Sequence, residues 1–282
     1  VTYQNFNENN LITLSKLPDN SIDLIVTSPP YDDIIQILSI DKGTICKKYE
    51  TKSALRNYKG YSWDIQALVK LIYQKLKPGG VVVWVMKDPV VNKSETLSSC
   101  YTRIIFHDEG FITHDTMIFE KHNFSNPCKN RFHDVFEYKF IFSKGIPKTF
   151  NPIMDREVKY AGQTTYGKNT VRLKDGSLKE RAKKIYAELG KRFNIFKYKV
   201  GTASGDDKIT FKHPAPFPLQ LALDHINIWS NPSDTVYDPF SGSGTVGIAC
   251  AMLNRNFIGS EVSKSYCDIF KKRLTNYSQK IK

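Results

Sequence analysis

The stretch IDLIVTSPPY, Ile22 to Tyr31, decides how this chain folds. Its apolar run, Ile22, Leu24, Ile25 and Val26, reads as a short buried strand, and the polar turn after it is where chemistry begins. Pro29 and Pro30 remove two backbone donors, and each ring holds the residue before it extended. The turn is therefore stiff, with outward carbonyls left as acceptors. Ser28 adds a hydroxyl and Tyr31 a flat ring, a set that suits a planar ring carrying an NH2 group. For Pro-Pro-Tyr taken alone, a rigid loop with an exposed aromatic is the competing reading.

A second motif changes that balance. Tyr237 to Thr245 reads YDPFSGSGT and follows the short strand pattern Thr235, Val236, Tyr237. Gly242 and Gly244 permit a tight turn and a close backbone approach to a ligand, and Val246 to Leu253 has helical spacing. Beyond another short strand, Asn256 to Gly259, stands Glu261, where a carboxylate can grip ribose hydroxyls. Strand, glycine loop, helix, strand and acid together point to a nucleoside cofactor.

With TSPPY before DPFSGSGT, the chain resembles the S-adenosylmethionine-dependent amino-methyltransferases of DNA, in the permuted (beta) group whose catalytic half comes first. LKPGGVVVWVMKD (Leu76 to Asp88), HDTMIFEK (His114 to Lys121) and FEYKFIFSKG (Phe136 to Gly145) resemble that family's remaining core strands. The resemblance implies an α/β fold: a doubly wound, mostly parallel seven-stranded sheet with one antiparallel strand and a small basic target-recognition insertion. It implies catalytic roles for Ser28, Pro29, Pro30 and Tyr31, and cofactor contacts from Asp238, Pro239, Phe240, Gly242, Ser243, Gly244, Thr245 and Glu261. Asn9 stands where the family commonly has an aspartate near the adenine, with capping of the next helix as the alternative. In HPAPFPLQL, His213 and Phe217 are expected against the methionine end of the cofactor, or else in packing at a helix start.

The implied cofactor is S-adenosylmethionine, and the implied partner is double-stranded DNA with its target base flipped out. A cognate restriction endonuclease and a monomeric or homodimeric state belong to the same expectation. In the family, Ser before the proline pair goes with N4-cytosine and Asp with N6-adenine, so Ser28 favours N4-cytosine, while Asp32 and Asp33 keep adenine open. A C5-cytosine enzyme using Cys128 is set aside, because that thiol falls in a polar hairpin remote from Ser28. A basic DNA-binding module with a degenerate methyltransferase fold is the alternative from another class. The intact TSPPY, Asp238, glycines and Glu261 speak for the enzyme.

Composition agrees. The 282 residues are 40% hydrophobic, enough for one substantial core, and the formal net charge of +13 suits a polyanionic partner. No apolar run is long enough to cross a membrane and no signal-peptide pattern follows Val1, so a cytoplasmic protein is expected. Five scattered cysteines lack a CxxC pair, which argues against both a disulfide framework and a zinc site. His107–Asp108, His114–Asp115 and His133–Asp134 share no helical face and are not expected to bind metal.

The expected organisation is a catalytic half over 1–145, a target-recognition insertion over 146–212 and a cofactor half over 213–282. Helices are expected over Leu11–Leu17, Asp64–Lys77, Thr96–Glu109, Leu219–Trp229 and Ser263–Tyr277, the last only closing the sheet. Phe111–Glu120 and Val135–Ser143 are too closely joined for a crossover and are expected to pair antiparallel. Asp32 to Trp63 reads as a long basic loop, either solvated or a flap over DNA. Within the insertion, Leu178–Phe193 carries the one strong helical pattern.

Overall fold

A computed structural model describes residues 1–41, 44–53, 63–123, 129–164, 170–180, 183–201 and 218–280, with backbone alone for 32–41 and 44–53. The chain divides into two compact units, one formed by Val1–Asn151 with Ile195–Lys282, the other by Pro152–Asn194.

The larger unit is built on one eight-stranded sheet. In chain order its strands are β1 (Tyr3–Phe6), β2 (Ile22–Thr27), β3 (Leu76–Met86), β4 (Ile112–Lys121), β5 (Phe136–Ser143), β6 (Ile195–Tyr198), β7 (Thr235–Asp238) and β8 (Asn256–Ser260). They lie in the order β1-β8-β7-β2-β3-β5-β4-β6. β5 runs antiparallel to both its neighbours, and every other pairing is parallel. The helices are α1 (Asn10–Lys16), α2 (Ile65–Lys75), α3 (Ser98–Asp108), α4 (Leu219–Trp229), α5 (Thr245–Met252) and α6 (Lys264–Lys280).

The mostly parallel α/β sheet with one antiparallel strand is the class the sequence implies, with eight strands in place of seven. The eighth, β6, comes from residues assigned to the insertion. It pairs with β4 from Ile195↔Ile118 to Tyr198↔Lys121, so the second unit ends at Asn194, well before 212.

Local chemistry explains the elements. α2 starts at Asp64, whose side chain accepts from the Ala67 N–H at 3.0 Å, and it buries Ile65, Leu68, Val69 and Ile72 at helical spacing. β3 carries the continuous apolar run Val81 to Met86 because it is covered on both faces as a central strand. Along β5 the aromatic residues alternate, and Phe142 stacks on Phe106 of α3 with centroids 4.0 Å apart. Each such buried side chain contributes about 1.5–3 kcal/mol.

Two further expectations fail. Asp32–Asp41 and Thr44–Ser53 form an antiparallel ladder from Asp32↔Ser53 to Asp41↔Thr44, where an aperiodic loop was expected. The β-branched and apolar run IIQILSI, followed in sequence by Asp-Lys-Gly, was the overlooked strand signal. Leu178–Phe193 contains no helix among its described residues. Leu178–Glu180 pairs with Thr170–Arg172, and Leu189–Lys191 pairs with Met154–Glu157. The first hairpin turns at Asp175-Gly176, with Gly176 at φ +85°, a local turn preference that outweighs a helical periodicity with no core to bury it. Leu178 and Ile185 are indeed largely exposed.

Candidate active site

The strand order reverses between β2 and β7. From β2 the chain goes to β3 on one side, and from β7 it goes to β8 on the other. Ligands of open α/β sheets bind at such a switch point, outside the carboxyl ends of the strands. TSPPY begins at the end of β2 and DPFSGSGT at the end of β7.

The two ends are bonded to one another. Val236 pairs with Leu24 and Tyr237 with Ile25 in the parallel ladder. At the entry of the strands the Thr235 N–H donates to the Asp23 carboxylate at 2.9 Å. At the exit the buried Thr27 hydroxyl donates to Asp238 Oδ1 at 2.7 Å, joining positions 211 apart in sequence. Ser28 and Pro239 are thus each one residue beyond a direct hydrogen bond.

Asp238 is 4% exposed and also accepts from the Phe240 N–H at 3.0 Å. Burial pushes its pKa up to about 7; the Thr27 hydroxyl and the Phe240 amide act against that rise, and the charge of Glu261 adds to it. Glu261 accepts from the Gly242 N–H at 2.9 Å and the Ser263 N–H at 2.8 Å, and burial raises its pKa despite both bonds. Each of its oxygens keeps acceptor capacity for a hydroxyl. Phe240 is half-buried and meets Trp63 edge-on at 5.1 Å.

The glycine loop is held from beneath. Gly242 and Gly244 take φ of +51° and +79°, conformations only glycine adopts without strain. At Gly244 a Cβ would lie 2.1 Å from the Phe270 ring, so closeness to α6, in addition to the turn, requires glycine there. Arg273, 4% exposed, donates to the Ser243 carbonyl at 2.7 Å and to the Thr245 hydroxyl at 3.1 Å. α6 therefore does more than close the sheet: it fixes the loop. The Ser241 hydroxyl donates to Asn5 at 2.7 Å, and Asn10 donates to the Pro239 carbonyl at 3.3 Å.

On the other side of the junction, Pro29 is buried and Ser28, Pro30 and Tyr31 are half-buried. The Tyr31 hydroxyl donates to the Glu137 carboxylate on β5, whose second oxygen is 2.7 Å from Lys121 on β4. Burial first, then the Glu137 charge, hold the Tyr31 phenol well above its usual pKa, while the Ser28 hydroxyl acts on the same phenol in the opposite direction.

Asn9 caps α1, its side chain accepting from the Leu11 N–H at 2.9 Å. His213 and Phe217 lie outside the described residues, as does Cys128. Sequence reasoning missed Asn5, Asn10, Glu137, Lys121 and Arg273. For Glu137 a signal existed: a charge on the inward face of an alternating strand, FEYKFIF. Arg273 had none, being one of many basic residues on an amphipathic helix.

A family model, N6_N4_Mtase, described as DNA methylase, matches residues 22–272. The chain belongs to this family of DNA methylases. The methylase is 45% identical over 261 residues to the orphan methyltransferase M.BamHII of Bacillus amyloliquefaciens, covering 92% of this chain and 91% of that one. It is 26% identical over 288 residues to the type II methyltransferase M.MthZI of Methanothermobacter thermautotrophicus, covering 94% and 74%. Its fold is shared with the PvuII DNA methyltransferase (cytosine-N4-specific), at a TM-score of 0.64 and 19% identity, covering 100% and 93%. It is shared likewise with TTHA0409 of Thermus thermophilus, at 0.61 and 19%, covering 98% and 96%. The methylase acts on DNA and takes its methyl group from S-adenosylmethionine. The buried polar loop, two carboxylates and left-handed glycines of the β7 turn have the donor and acceptor set that such a nucleoside cofactor needs.

Proposed function

We propose that this methylase modifies the exocyclic N4 amine of a cytosine flipped out of duplex DNA, and that it is of the permuted type in which the catalytic motif precedes the cofactor loop. The observation carrying this reading is the Thr27–Asp238 hydrogen bond at the sheet's switch point, which makes the serine of TSPPY and the cofactor loop neighbours.

Asp238, Pro239, Phe240, Gly242, Ser243, Gly244 and Thr245 would hold the cofactor, with Glu261 on its ribose and Asn9 toward its adenine. The cofactor supplies an electrophilic methyl group on a sulfonium. An exocyclic amine is a poor nucleophile because its lone pair is delocalised into the ring. Ser28 and the Pro29 carbonyl accept its two N–H groups out of the ring plane, which localises the lone pair and aims it. Tyr31 stacks on the base, and Pro30 keeps the turn stiff. Positioning and electrostatics then provide most of the catalysis, with no covalent enzyme intermediate.

Residues 152–194 serve as the target-recognition module. They carry eleven Lys or Arg against five Asp or Glu, close to half the net charge of the whole chain. The protein works in the cytoplasm as a monomer or homodimer, alongside a cognate endonuclease where the host carries one.

The test is transfer of labelled methyl from S-adenosylmethionine to DNA by the purified protein, followed by digestion to nucleosides. N4-methylcytosine is expected. N6-methyladenine, to which Asp32 and Asp33 leave room, would overturn the choice of base and keep the rest. Ser28→Ala is expected to bind cofactor as wild type does and to lose at least ~100-fold in turnover; equal turnover would remove Ser28 from the mechanism.

A further inference from the structure

We propose that Glu137, acting through Tyr31 and Ser28, receives the proton that the target amine sheds as it is methylated, and that Lys121 holds it in place to do so. This rests on the reading of Ser28 as the residue that faces the amine.

Glu137 is an expensive residue at its position. It is 8% exposed, and its neighbours across the sheet on β4 and along β5 are mostly apolar or aromatic. A buried ion pair is often no better for stability than a well-packed apolar pair, because two charges lose their water. Here the carboxylate is spent on two named partners. One oxygen faces Lys121 at 2.7 Å, and the other takes the Tyr31 hydroxyl, three residues from Ser28. Sheet geometry explains the meeting: Glu137 is opposite Phe119, so Lys121, two residues further on, projects from the same face. Lys121 pairs with this carboxylate, Lys139 stands two residues further along β5 on the same face, and Asp134, whose charge acts on Tyr31, pairs with Lys87.

The tyrosine gives its hydrogen to Glu137, which leaves its oxygen to act as an acceptor, and the Ser28 hydroxyl acts on that phenol in the sense of a donor. A serine whose hydrogen is turned toward Tyr31 presents lone pairs outward, which is the orientation an amine N–H requires. The proton inventory then closes. The amine nitrogen forms its bond to the methyl carbon as that carbon's bond to sulfur breaks, the electron pair staying on sulfur. One N–H of the now cationic nitrogen breaks, its proton passing to Ser28 Oγ. The Ser28 hydrogen moves to Tyr31, and the Tyr31 hydrogen moves to Glu137. Serine and tyrosine end with one hydrogen each, the methylated base is neutral, and Glu137 is a carboxylic acid that returns its proton to water when product leaves.

The experiment compares wild type, Glu137→Gln and Tyr31→Phe. Glutamine keeps a carbonyl acceptor for Tyr31 but takes up no proton; phenylalanine keeps the ring and breaks the link. Single-turnover methylation of duplex DNA is measured from pH 5 to 9, with cofactor binding by calorimetry and folding by thermal melting. Both variants are expected to bind cofactor within about twofold of wild type and to react roughly 10- to 100-fold more slowly. A reading without substrate is the ultraviolet titration of tyrosine. Tyr31, isolated by difference against Tyr31→Phe, is expected to ionise at lower pH once Glu137 is glutamine. A folded Glu137→Gln with the wild-type rate overturns the relay. Should that variant not fold, Tyr31→Phe at the wild-type rate overturns it equally. Absence of any transfer by wild type would instead overturn the reading of Ser28 on which the relay stands.

Discussion

Thr27 and Asp238 show how much one hydroxyl can decide. A carboxylate buried away from water prefers its proton unless something stabilises the charge, and Thr27 is one of two groups that do so. Thr27→Val keeps the β-branched shape of the strand but removes the donor. It is expected to cost about 1–3 kcal/mol in urea denaturation and to weaken cofactor binding in calorimetry. The direction of the pH effect follows from the raised pKa. Between about 4 and 7 the folded protein keeps a proton on Asp238 that the unfolded chain has released. Stability from this group is therefore full at low pH, declines as pH rises through that window, and is flat above about 7. The decline amounts to roughly 4 kcal/mol at most. Denaturation of wild type and Asp238→Asn at pH 5 and pH 8 is expected to differ by this pH-dependent component, the variant being the flatter of the two. Burial sets this behaviour, and burial of one aspartate was not legible in DPF. The motif showed that an acid ends the strand, but its partner came from another motif 211 positions away.

At the scale of elements, α6 carries the unexpected role. Its sequence reads as an ordinary amphipathic helix, and only the structure puts Phe270 beneath Gly244 and Arg273 on the Ser243 carbonyl. Gly244→Ala is expected to cost at least ~3 kcal/mol, combining the left-handed φ with a ring that must shift. The double variant Gly244→Ala with Phe270→Ala is expected to lose less than the two singles added together, measured by thermal unfolding. Helices and strands of the main sheet were legible because their apolar periodicity agrees with caps and turns: Asp64 before α2, Pro218 before α4. Periodicity misled over Leu178–Phe193, where no core rewards a helix and the Asp175-Gly176 turn makes a hairpin instead. β6 was illegible for another reason. Ile195–Tyr198 is four residues with one charge, and only the exposed edge of β4 makes it a strand.

For the molecule as a whole, charge is unevenly shared, and the second unit holds much of it. If these residues meet phosphates, affinity for DNA falls with salt by a slope that counts the contacts. Lys174 and Lys179 are exposed beside the Asp175-Gly176 turn. Replacing both with alanine is expected to leave melting unchanged and to reduce the log affinity against log salt slope by about 2. An unchanged slope would place DNA elsewhere.

The neighbours of β2 have a consequence for biosynthesis. One, β3, is made by residue 86, whereas the other, β7, starts only at Thr235. Through most of translation the middle of the sheet thus presents a bare row of amides and carbonyls, the kind of margin that invites pairing with the wrong chain. A polypeptide stopped before Thr235 would lack the glycine turn after β7 and expose that margin at once. A premature stop would then give an insoluble fragment and no half-working reader that occupies DNA without marking it.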